Sequence, residues 1–217
     1  TTCCCFAHAG VMNYYGPGLL TPIAQPGRLD EYTENAMRKA LFSGETIGRV
    51  EPCRRYTSIE WRDLPESDIT WQDNPGYQLI QGHGKVCGRL IGGCMGPLQQ
   101  IMGTEIFPGR ELWEGSILFI ENISPYNSAL AALHGWRALV ASGALDVCAG
   151  LITPMMPEED RQVLQKVLKY EVHREDMPVL SNVDFGHRTP MTVLPIGAMA
   201  EVDCDSLTFT ILESGVE

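Results

Sequence analysis

The sequence predicts an α/β fold, and two features of its pattern carry that prediction. Short apolar runs rich in β-branched residues alternate, through the second half of the chain, with segments of helical periodicity. Strands that alternate with helices pair in parallel, because the intervening helix returns the chain to the same end of the sheet. The run 116–120 is also apolar at every residue after Ser116, which is typical of a strand buried on both faces.

The first 45 residues have the pattern of the end of a larger domain. A helical segment opens the chain, a short strand ends at Gly16, and a second helix follows Asp30 and ends at Gly44. The side chain of Asp30 can cap that second helix. The helical pattern is thus already under way at the first residues, and no helix start signal precedes the first helix. We predict that residues 1–45 are the tail of an N-terminal domain and form no complete sheet of their own.

Residues 46–84 have no clear periodicity. They contain prolines, several acidic residues and two tryptophans, Trp61 and Trp71. Irregular proline-containing stretches of this length are typical of linkers and long surface loops. The sequence therefore predicts a linker or loop between two units.

Regular patterning returns at residue 85, and 85–217 is predicted to be a C-terminal α/β domain. Gly92 and Gly93 are predicted to form a turn. The predicted strands are 86–91, 116–120, 146–152, 178–183, 191–197, 198–202 and 207–212. The predicted helices are 97–102, 124–142 and a third that begins at Pro157.

Composition excludes several classes of partner. The 217 residues carry a formal net charge of −11, and the basic residues are scattered. Nucleic-acid binding needs clustered Lys and Arg, so no nucleic-acid partner is expected. No apolar run approaches the roughly 20 residues that span a bilayer, so no membrane association is expected.

The eight cysteines include no C-x-x-C pair. The spacing that signals zinc binding or dithiol chemistry is therefore absent. We expect no cofactor, and we interpret the cysteines as buried, reduced thiols of a cytoplasmic protein.

Two side chains follow buried strands in the way that active-site residues do. Glu121 comes directly after the run 116–120, and His187 follows the predicted strand 178–183 with Gly186 beside it. The carboxyl ends of parallel strands meet at one edge of a sheet, where ligand sites gather. A carboxylate that holds an imidazole is the orienting half of a hydrolytic triad. The simpler alternatives are a helix cap or solvated acid for Glu121 and a structural histidine for His187.

A triad also needs a nucleophile, and none is evident. No serine lies in a G-x-S-x-G turn, the strand-to-helix elbow that exposes a nucleophilic hydroxyl. The D-F-G triplet at Asp184 is found in kinases, but no glycine-rich loop, paired lysine or H-R-D precedes it, so we reject that interpretation. The other histidines have no comparable placement and are predicted to lie on the surface or on helices: His8, His83, His134 and His173.

Several separated motifs resemble one known family and occur in its order. They are VCGRLIGG at 86–93, Gly103-Thr104, WEGSILFIE at 113–121, PVLSNVDFGH at 178–187 and LPIG at 194–197. Together they resemble the C-terminal half of the LD-carboxypeptidase family, which includes the microcin-immunity serine peptidases. Tyr15-Gly16-Pro17 and the helix end at 40–44 resemble the end of that family's N-terminal half.

The resemblance implies a fold of two domains with a Ser-His-Glu triad between them. Residues 1–45 would be the tail of a Rossmann-like domain, and a mixed α/β domain would follow. By motif, the triad glutamate falls on Glu121 and the histidine on His187. The resemblance also implies a homodimer that cleaves an amide next to a free carboxylate, in a murein peptide or a peptidyl-nucleotide antibiotic.

The same resemblance implies that the nucleophile is missing. The family's serine lies in a short S-D motif directly before a threonine-bearing helix, and Thr1 and Thr2 match the residues just after that motif. The serine and the oxyanion donors would then lie upstream of residue 1, and we expect the chain alone to be inactive. Trp61 and Trp71 lie in the loop that shapes the family's pocket, and each is a candidate for stacking on a nucleobase or for ordinary loop packing.

Two alternatives stay open. Thr1 could act as an N-terminal nucleophile with its own α-amine as the base, although the segment that follows it has helical rather than strand character. The chain could instead be a non-catalytic module that binds a peptide or forms a dimer.

Overall fold

The computed structural model describes residues 2–19, 22–24, 29–58, 69–122 and 129–216. The strands are β1 (Asn13–Tyr15), β2 (Gly48–Val50), β3 (Arg55–Tyr56), β4 (Gln72–Asp73), β5 (Gln78–Gln81), β6 (Lys85–Cys94), β7 (Ile117–Glu121), β8 (Gly150–Ile152), β9 (Val179–Ser181), β10 (Leu194–Ile196), β11 (Met199–Asp203) and β12 (Thr208–Ile211). The helices are α1 (Thr2–His8), α2 (Glu31–Phe42), α3 (Met95–Ile101), α4 (Arg110–Trp113), α5 (Ala129–Ala141), α6 (Ala144–Val147) and α7 (Glu158–Val167), which continues into a π-helical segment (Leu168–Val172).

One mixed sheet of eight strands organises the described chain. Its strand order is β2-β12-β11-β6-β7-β8-β9-β5. The four central strands β6, β7, β8 and β9 pair in parallel, and antiparallel strands extend the sheet on both sides. The predicted α/β class is confirmed. The parallel block also brings the ends of β7 and β9 to one edge of the sheet.

The alternation of side chains along β7 divides the core into two layers. Leu118 and Ile120 pack with helices α3, α5 and α7, whereas Ile117 and Phe119 pack against the layer that contains Leu194. Every residue of β7 is buried. A strand with both faces covered is apolar along nearly its whole length, and this explains the apolar run 117–120 that precedes Glu121.

The N-terminal segment is docked on the rest of the chain. Among the strands that the structure describes, β1 pairs with β10 alone, and α2 contributes Ala40 to the core layer that contains Leu194. The side chain of Asp30 accepts a hydrogen bond from the backbone N–H of Tyr32, as expected for the cap of α2. Within the described residues, 2–45 form no complete sheet of their own, as predicted. The division of the chain into domains at 45 and 84 stays a prediction.

Three predicted elements differ from the structure. The described residues of the predicted loop 46–84 contain four strands, and two of them, β2 and β5, form the outer edges of the large sheet. Edge strands are short and solvent-facing, so they lack the apolar run that marks a central strand. The predicted turn at Gly92 and Gly93 is the continuation of β6, and the predicted strand 146–152 is the end of α6 followed by the shorter β8.

Gly92 is required for the close approach of β6 to β7. A Cβ at this position would overlap the backbone carbonyl of Phe119. Gly92, which together with Gly93 suggested a turn, thus serves strand packing. In the part of the chain that the structure describes, none of the helices has the length and apolar character to cross a membrane.

Candidate active site

Glu121 is a buried carboxylate at the C-terminal end of β7. It is 2% exposed. Its Oε1 accepts a hydrogen bond from the backbone N–H of His187 and lies 3.0 Å from Nδ1 of the same residue. Its Oε2 accepts a hydrogen bond from the hydroxyl of Tyr15. Both oxygens are therefore engaged, which offsets much of the cost of burying a carboxylate.

His187 lies in the loop that follows β9, and its ring contacts Glu121 at the end of β7, although β8 lies between these two strands in the sheet. The side chain is 60% exposed, in contrast to its carboxylate partner. Because the carboxylate can only accept, the contact with Glu121 selects the tautomer with the proton on Nδ1. Nε2 is then the nitrogen that can take up a proton. The expected proximity of the two side chains is confirmed, and their catalytic role remains a prediction.

Gly186 allows the loop to pass directly against the carboxylate. It has a φ of +89°, which favours glycine, and a Cβ there would overlap the Glu121 carboxyl group. The backbone N–H of His187 can reach Oε1 only because the chain passes this closely. The sequence showed Gly186 beside His187, and the structure gives the steric reason for a glycine there.

Tyr15 is a site residue that the sequence analysis did not identify. Its ring packs against Phe119 and Phe185, with centroid distances of 5.4 and 6.3 Å. Burial, and then the charge of Glu121, raise the pKa of the Tyr15 hydroxyl far above its ordinary value, so the phenol stays protonated. The resemblance already included Tyr15 in a motif, but nothing in the sequence pattern showed that it contacts Glu121.

A second buried carboxylate anchors the loop that carries His187. Asp184 is 0% exposed and accepts hydrogen bonds from the backbone N–H of Cys53 at 2.7 Å and from the side chain of Asn74 at 3.1 Å. It also pairs with Arg188 at 3.1 Å. Burial raises the pKa of the Asp184 carboxyl, and Arg188 partly opposes that shift. The D-F-G triplet that the sequence analysis set aside therefore contains a structural anchor.

A cavity of about 380 Å³ opens beside Glu121 and His187. Its walls are Tyr56, Ser58, Gln72, Asn122, Phe185, Arg188 and the segment 154–157. The guanidinium of Arg188 lies over the ring of Tyr56 at 4.3 Å. The cavity has the size of the sites that take small ligands, and it places a ligand next to the imidazole.

The other predicted residues lie elsewhere or outside the described residues. His8, His83, His134 and His173 are exposed. Trp71 lies under Arg55, 4.4 Å from the guanidinium, and lines a separate cavity of about 410 Å³. Gln72 lines both cavities, so Trp71 is a near neighbour of the site. Thr1, Trp61 and the predicted helix start at 123–128 lie outside the described residues.

The cysteines are mixed in their exposure. Cys4, Cys53, Cys148 and Cys204 are buried, as expected, whereas Cys5 and Cys87 are exposed. Among the residues that the structure describes, no group of three or more His, Cys, Asp or Glu side chains is arranged to hold a metal ion.

Comparisons with known proteins give consistent matches. The family defined by the LD-carboxypeptidase C-terminal domain matches residues 87–202. The microcin C7 self-immunity protein MccF of Escherichia coli is 28% identical over 232 residues, covering 96% of this chain and 61% of the relative. A "Probable murein peptide carboxypeptidase" of Bacillus subtilis is 29% identical over 213 residues, covering 96% of this chain and 58% of the relative.

Solved structures share the fold. The structure of MccF in complex with aspartyl sulfamoyl adenosine superposes with a TM-score of 0.83 at 24% identity, covering 98% of this chain and 64% of that one. The chain spans about three fifths of the length of the curated relatives that it matches.

Proposed function

Because the chain belongs to the LD-carboxypeptidase family, whose C-terminal domain matches residues 87–202, we propose that it supplies the base and the orienting acid of a serine carboxypeptidase. The observation that carries the proposal is the 3.0 Å contact between the buried Glu121 and the exposed His187. The fold of the family, predicted from the motifs, is supported over nearly the whole chain by its likeness to MccF. The remaining steps of the mechanism belong to the proposal.

In the proposed mechanism, Nε2 of His187 takes the proton of a serine hydroxyl as the serine attacks the amide carbonyl. Glu121 holds the proton on Nδ1 and stabilises the imidazolium that forms. The imidazolium then protonates the leaving amine, and water repeats the cycle to release the acyl group. The cavity beside the imidazole accommodates the part of the substrate next to the scissile bond.

We further propose that the serine and the oxyanion donors come from sequence outside these 217 residues. The relatives are longer than this chain, and the resemblance puts the family's S-D motif before Thr1. The substrate is then an amide next to a free carboxylate, either in a murein peptide or in a peptidyl nucleotide; structures of MccF contain aspartyl sulfamoyl adenosine and glutamyl sulfamoyl guanosine. We also propose a homodimeric enzyme, as the resemblance implies, and a cytoplasmic one, as the cysteine pattern suggests.

The test compares the 217-residue chain with a longer protein that contains the upstream serine. An L,D-tetrapeptide and an aminoacyl sulfamoyl nucleoside serve as the two substrate probes. We expect turnover only in the longer protein, and in it Glu121→Gln and His187→Ala each lower kcat by roughly 10³-fold or more with little change in KM. His134→Ala, which changes an exposed histidine away from the site, is the matched control.

Two results would contradict the proposal. Turnover by the 217-residue chain at rates near those of the longer protein would reveal a nucleophile within it, and a mass spectrum of the trapped adduct would identify Thr1 or another residue. Substrate binding with no turnover in the longer protein would favour the non-catalytic peptide-binding module.

A further inference from the structure

The Glu121 carboxylate depends on hydrogen bonds rather than on a cation. In the described part of the chain, no Lys or Arg side chain lies within ion-pair distance of it, and its ion-pair partner is the His187 ring. A carboxylate buried in this way is stabilised mainly by the donors that reach it. Those donors are the His187 backbone N–H and Nδ1 on Oε1 and the Tyr15 hydroxyl on Oε2.

We propose that Tyr15 is a positioning residue of this site, whose hydroxyl fixes the Glu121 carboxylate so that Oε1 faces Nδ1 of His187. The proposal rests on the proposed function, because it concerns the same acid and base. Tyr15 binds Oε2 and His187 lies against Oε1, so in this proposal Tyr15 acts on the ring through Glu121.

The placement of Tyr15 gives its hydroxyl little freedom. Its backbone pairs with Leu194 of β10, and its ring lies against Phe119 and Phe185, which also pack on each other at 5.9 Å. A ring enclosed by two other rings and by a backbone pairing presents its hydroxyl in one direction. The phenol remains a donor over the working pH range, since burial raises its pKa.

Loss of the Tyr15 hydroxyl would affect the Glu121 carboxylate in two ways. Oε2 would lose the donor that Tyr15 supplies, and a buried polar atom left unsatisfied costs about 1–3 kcal/mol. The carboxyl group could also rotate, because no hydrogen bond from Tyr15 would then hold Oε2 away from the ring. His187 would no longer meet a fixed acceptor at Nδ1, and the preference for the tautomer with Nδ1 protonated would weaken.

Tyr14 provides a matched control on the same strand. Its hydroxyl donates to the backbone carbonyl of Gly215, not to the Glu121 carboxylate. Tyr14→Phe and Tyr15→Phe therefore remove the same atom from neighbouring residues, and only the second removal affects Glu121.

The primary test needs no enzymatic activity. The tautomer of His187 is measured by ¹⁵N NMR on the 217-residue chain, in the parent sequence and in both variants. We expect the form with Nδ1 protonated to dominate in the parent sequence and in Tyr14→Phe, and to lose at least half of its population in Tyr15→Phe. Melting temperatures verify that the variants are folded. An unchanged tautomer in folded Tyr15→Phe overturns the proposal.

A second variant covers the case in which Tyr15→Phe does not fold. Replacement of Tyr15 by 3-fluorotyrosine keeps the ring and the hydroxyl but makes the hydroxyl a stronger donor. The Nδ1–H proton resonance of His187 is then expected to shift, whereas the same replacement at Tyr14 leaves it in place. An unshifted resonance at position 15 also overturns the proposal.

Kinetics in the longer protein separate this proposal from the proposed function. We expect Tyr15→Phe to lower kcat about tenfold with KM within twofold, and Tyr14→Phe to leave both within twofold. If His187→Ala leaves kcat unchanged, the proposed function fails, and the NMR result still decides the role of Tyr15. If His187→Ala abolishes activity while Tyr15→Phe behaves like Tyr14→Phe, the role of Tyr15 fails alone.

Discussion

Gly186 and Glu121 are in such close contact that a Cβ on Gly186 would occupy the position of the carboxyl group. The loop that carries His187 can therefore pass the end of β7 only with glycine at this position. Gly197 provides a comparison, because its φ of +96° is similar to the +89° of Gly186 and no heavy atom lies within 4 Å of a Cβ placed there.

We predict that Gly186→Ala disrupts the site and that Gly197→Ala does not. Gly197→Ala should lower the free energy of unfolding by about 1 kcal/mol, the cost of placing alanine in a conformation that favours glycine. Gly186→Ala has the same backbone strain, and its Cβ also overlaps the Glu121 carboxyl group. It should therefore lower the free energy of unfolding by a further ~2 kcal/mol. It should also lengthen the contact between Glu121 and Nδ1 of His187. Urea denaturation and the His187 NMR signals measure the two effects, and equal costs for the two variants would contradict the prediction.

The positions of Glu121 and His187 could be predicted because they follow from a rule about sheets. Glu121 ends β7 and His187 lies in the loop after β9, both strands belong to the parallel block, and the ends of parallel strands share one edge. The buried strand β7 could be predicted as well, since a strand covered on both faces is apolar along nearly its whole length, as 117–120 are.

The partners of these residues could not be predicted, because they come from distant parts of the chain. Tyr15 contacts Glu121 from a strand that precedes it by 106 residues, and Cys53 contacts Asp184 across 131 residues. Hydrophobic periodicity reports which face of an element is buried and contains no information about such long-range pairs. The edge strands β2 and β5 were missed for a related reason, since their pairing partners rather than their own composition make them strands.

The adjacent glycines of β6 give a second matched comparison. A Cβ at Gly92 would overlap the backbone of Phe119 in β7, whereas a Cβ at Gly93 meets nothing within 4 Å. Gly92→Ala should therefore lower the free energy of unfolding by about 3 kcal/mol, the upper end of the cost of overpacking. Gly93→Ala should cost about 1 kcal/mol. Chemical denaturation at one pH measures both, and a larger cost for Gly93→Ala would show that strand pairing here does not need Gly92.

The buried thiol of Cys148 should make stability fall at alkaline pH. Burial raises the pKa of this thiol to about 11, against about 8.5 in an unfolded chain. A group whose pKa is raised by folding contributes full stability below its unfolded pKa and loses that contribution as the pH rises through its folded pKa. The free energy of unfolding should therefore decrease from about pH 9 to pH 11.

Substitution isolates the contribution of Cys148. Cys148→Ala should flatten part of the alkaline decrease, whereas Cys5→Ala, which changes an exposed thiol, should leave the profile unchanged. Denaturation curves at half-unit pH intervals measure the slopes. Identical slopes in the two variants would assign the alkaline decrease to other groups.

Breaking the ion pair of Asp184 and Arg188 should lower the free energy of unfolding more than breaking an exposed pair of similar geometry. The two side chains are 0% and 4% exposed and lie 3.1 Å apart, whereas Arg137 and Glu171 lie 2.9 Å apart with Arg137 55% exposed. Removal of one partner from a buried pair leaves a charge without compensation, at a cost of about 3–5 kcal/mol. We therefore predict that Arg188→Met lowers the free energy of unfolding by about 3–5 kcal/mol. The control Arg137→Met should lower it by less than about 1 kcal/mol.

The loss of unfolding free energy in Arg188→Met should be larger at neutral pH than at acidic pH. Burial raises the pKa of the Asp184 carboxyl in the folded chain, and removal of the guanidinium, which opposes that shift, should raise it further. A carboxyl with a raised folded pKa is stabilised by folding at low pH, and that contribution disappears as the pH rises through the folded value. The stability deficit of Arg188→Met should thus be largest near neutral pH and should shrink toward pH 4, where protonation neutralises Asp184.

The double variant Asp184→Asn/Arg188→Met, which has no buried charge at this position, should show a smaller deficit and little pH dependence. Denaturation curves of the three proteins between pH 4 and 8 provide the test, and a deficit in Arg188→Met that grows on acidification would contradict this account of the pair.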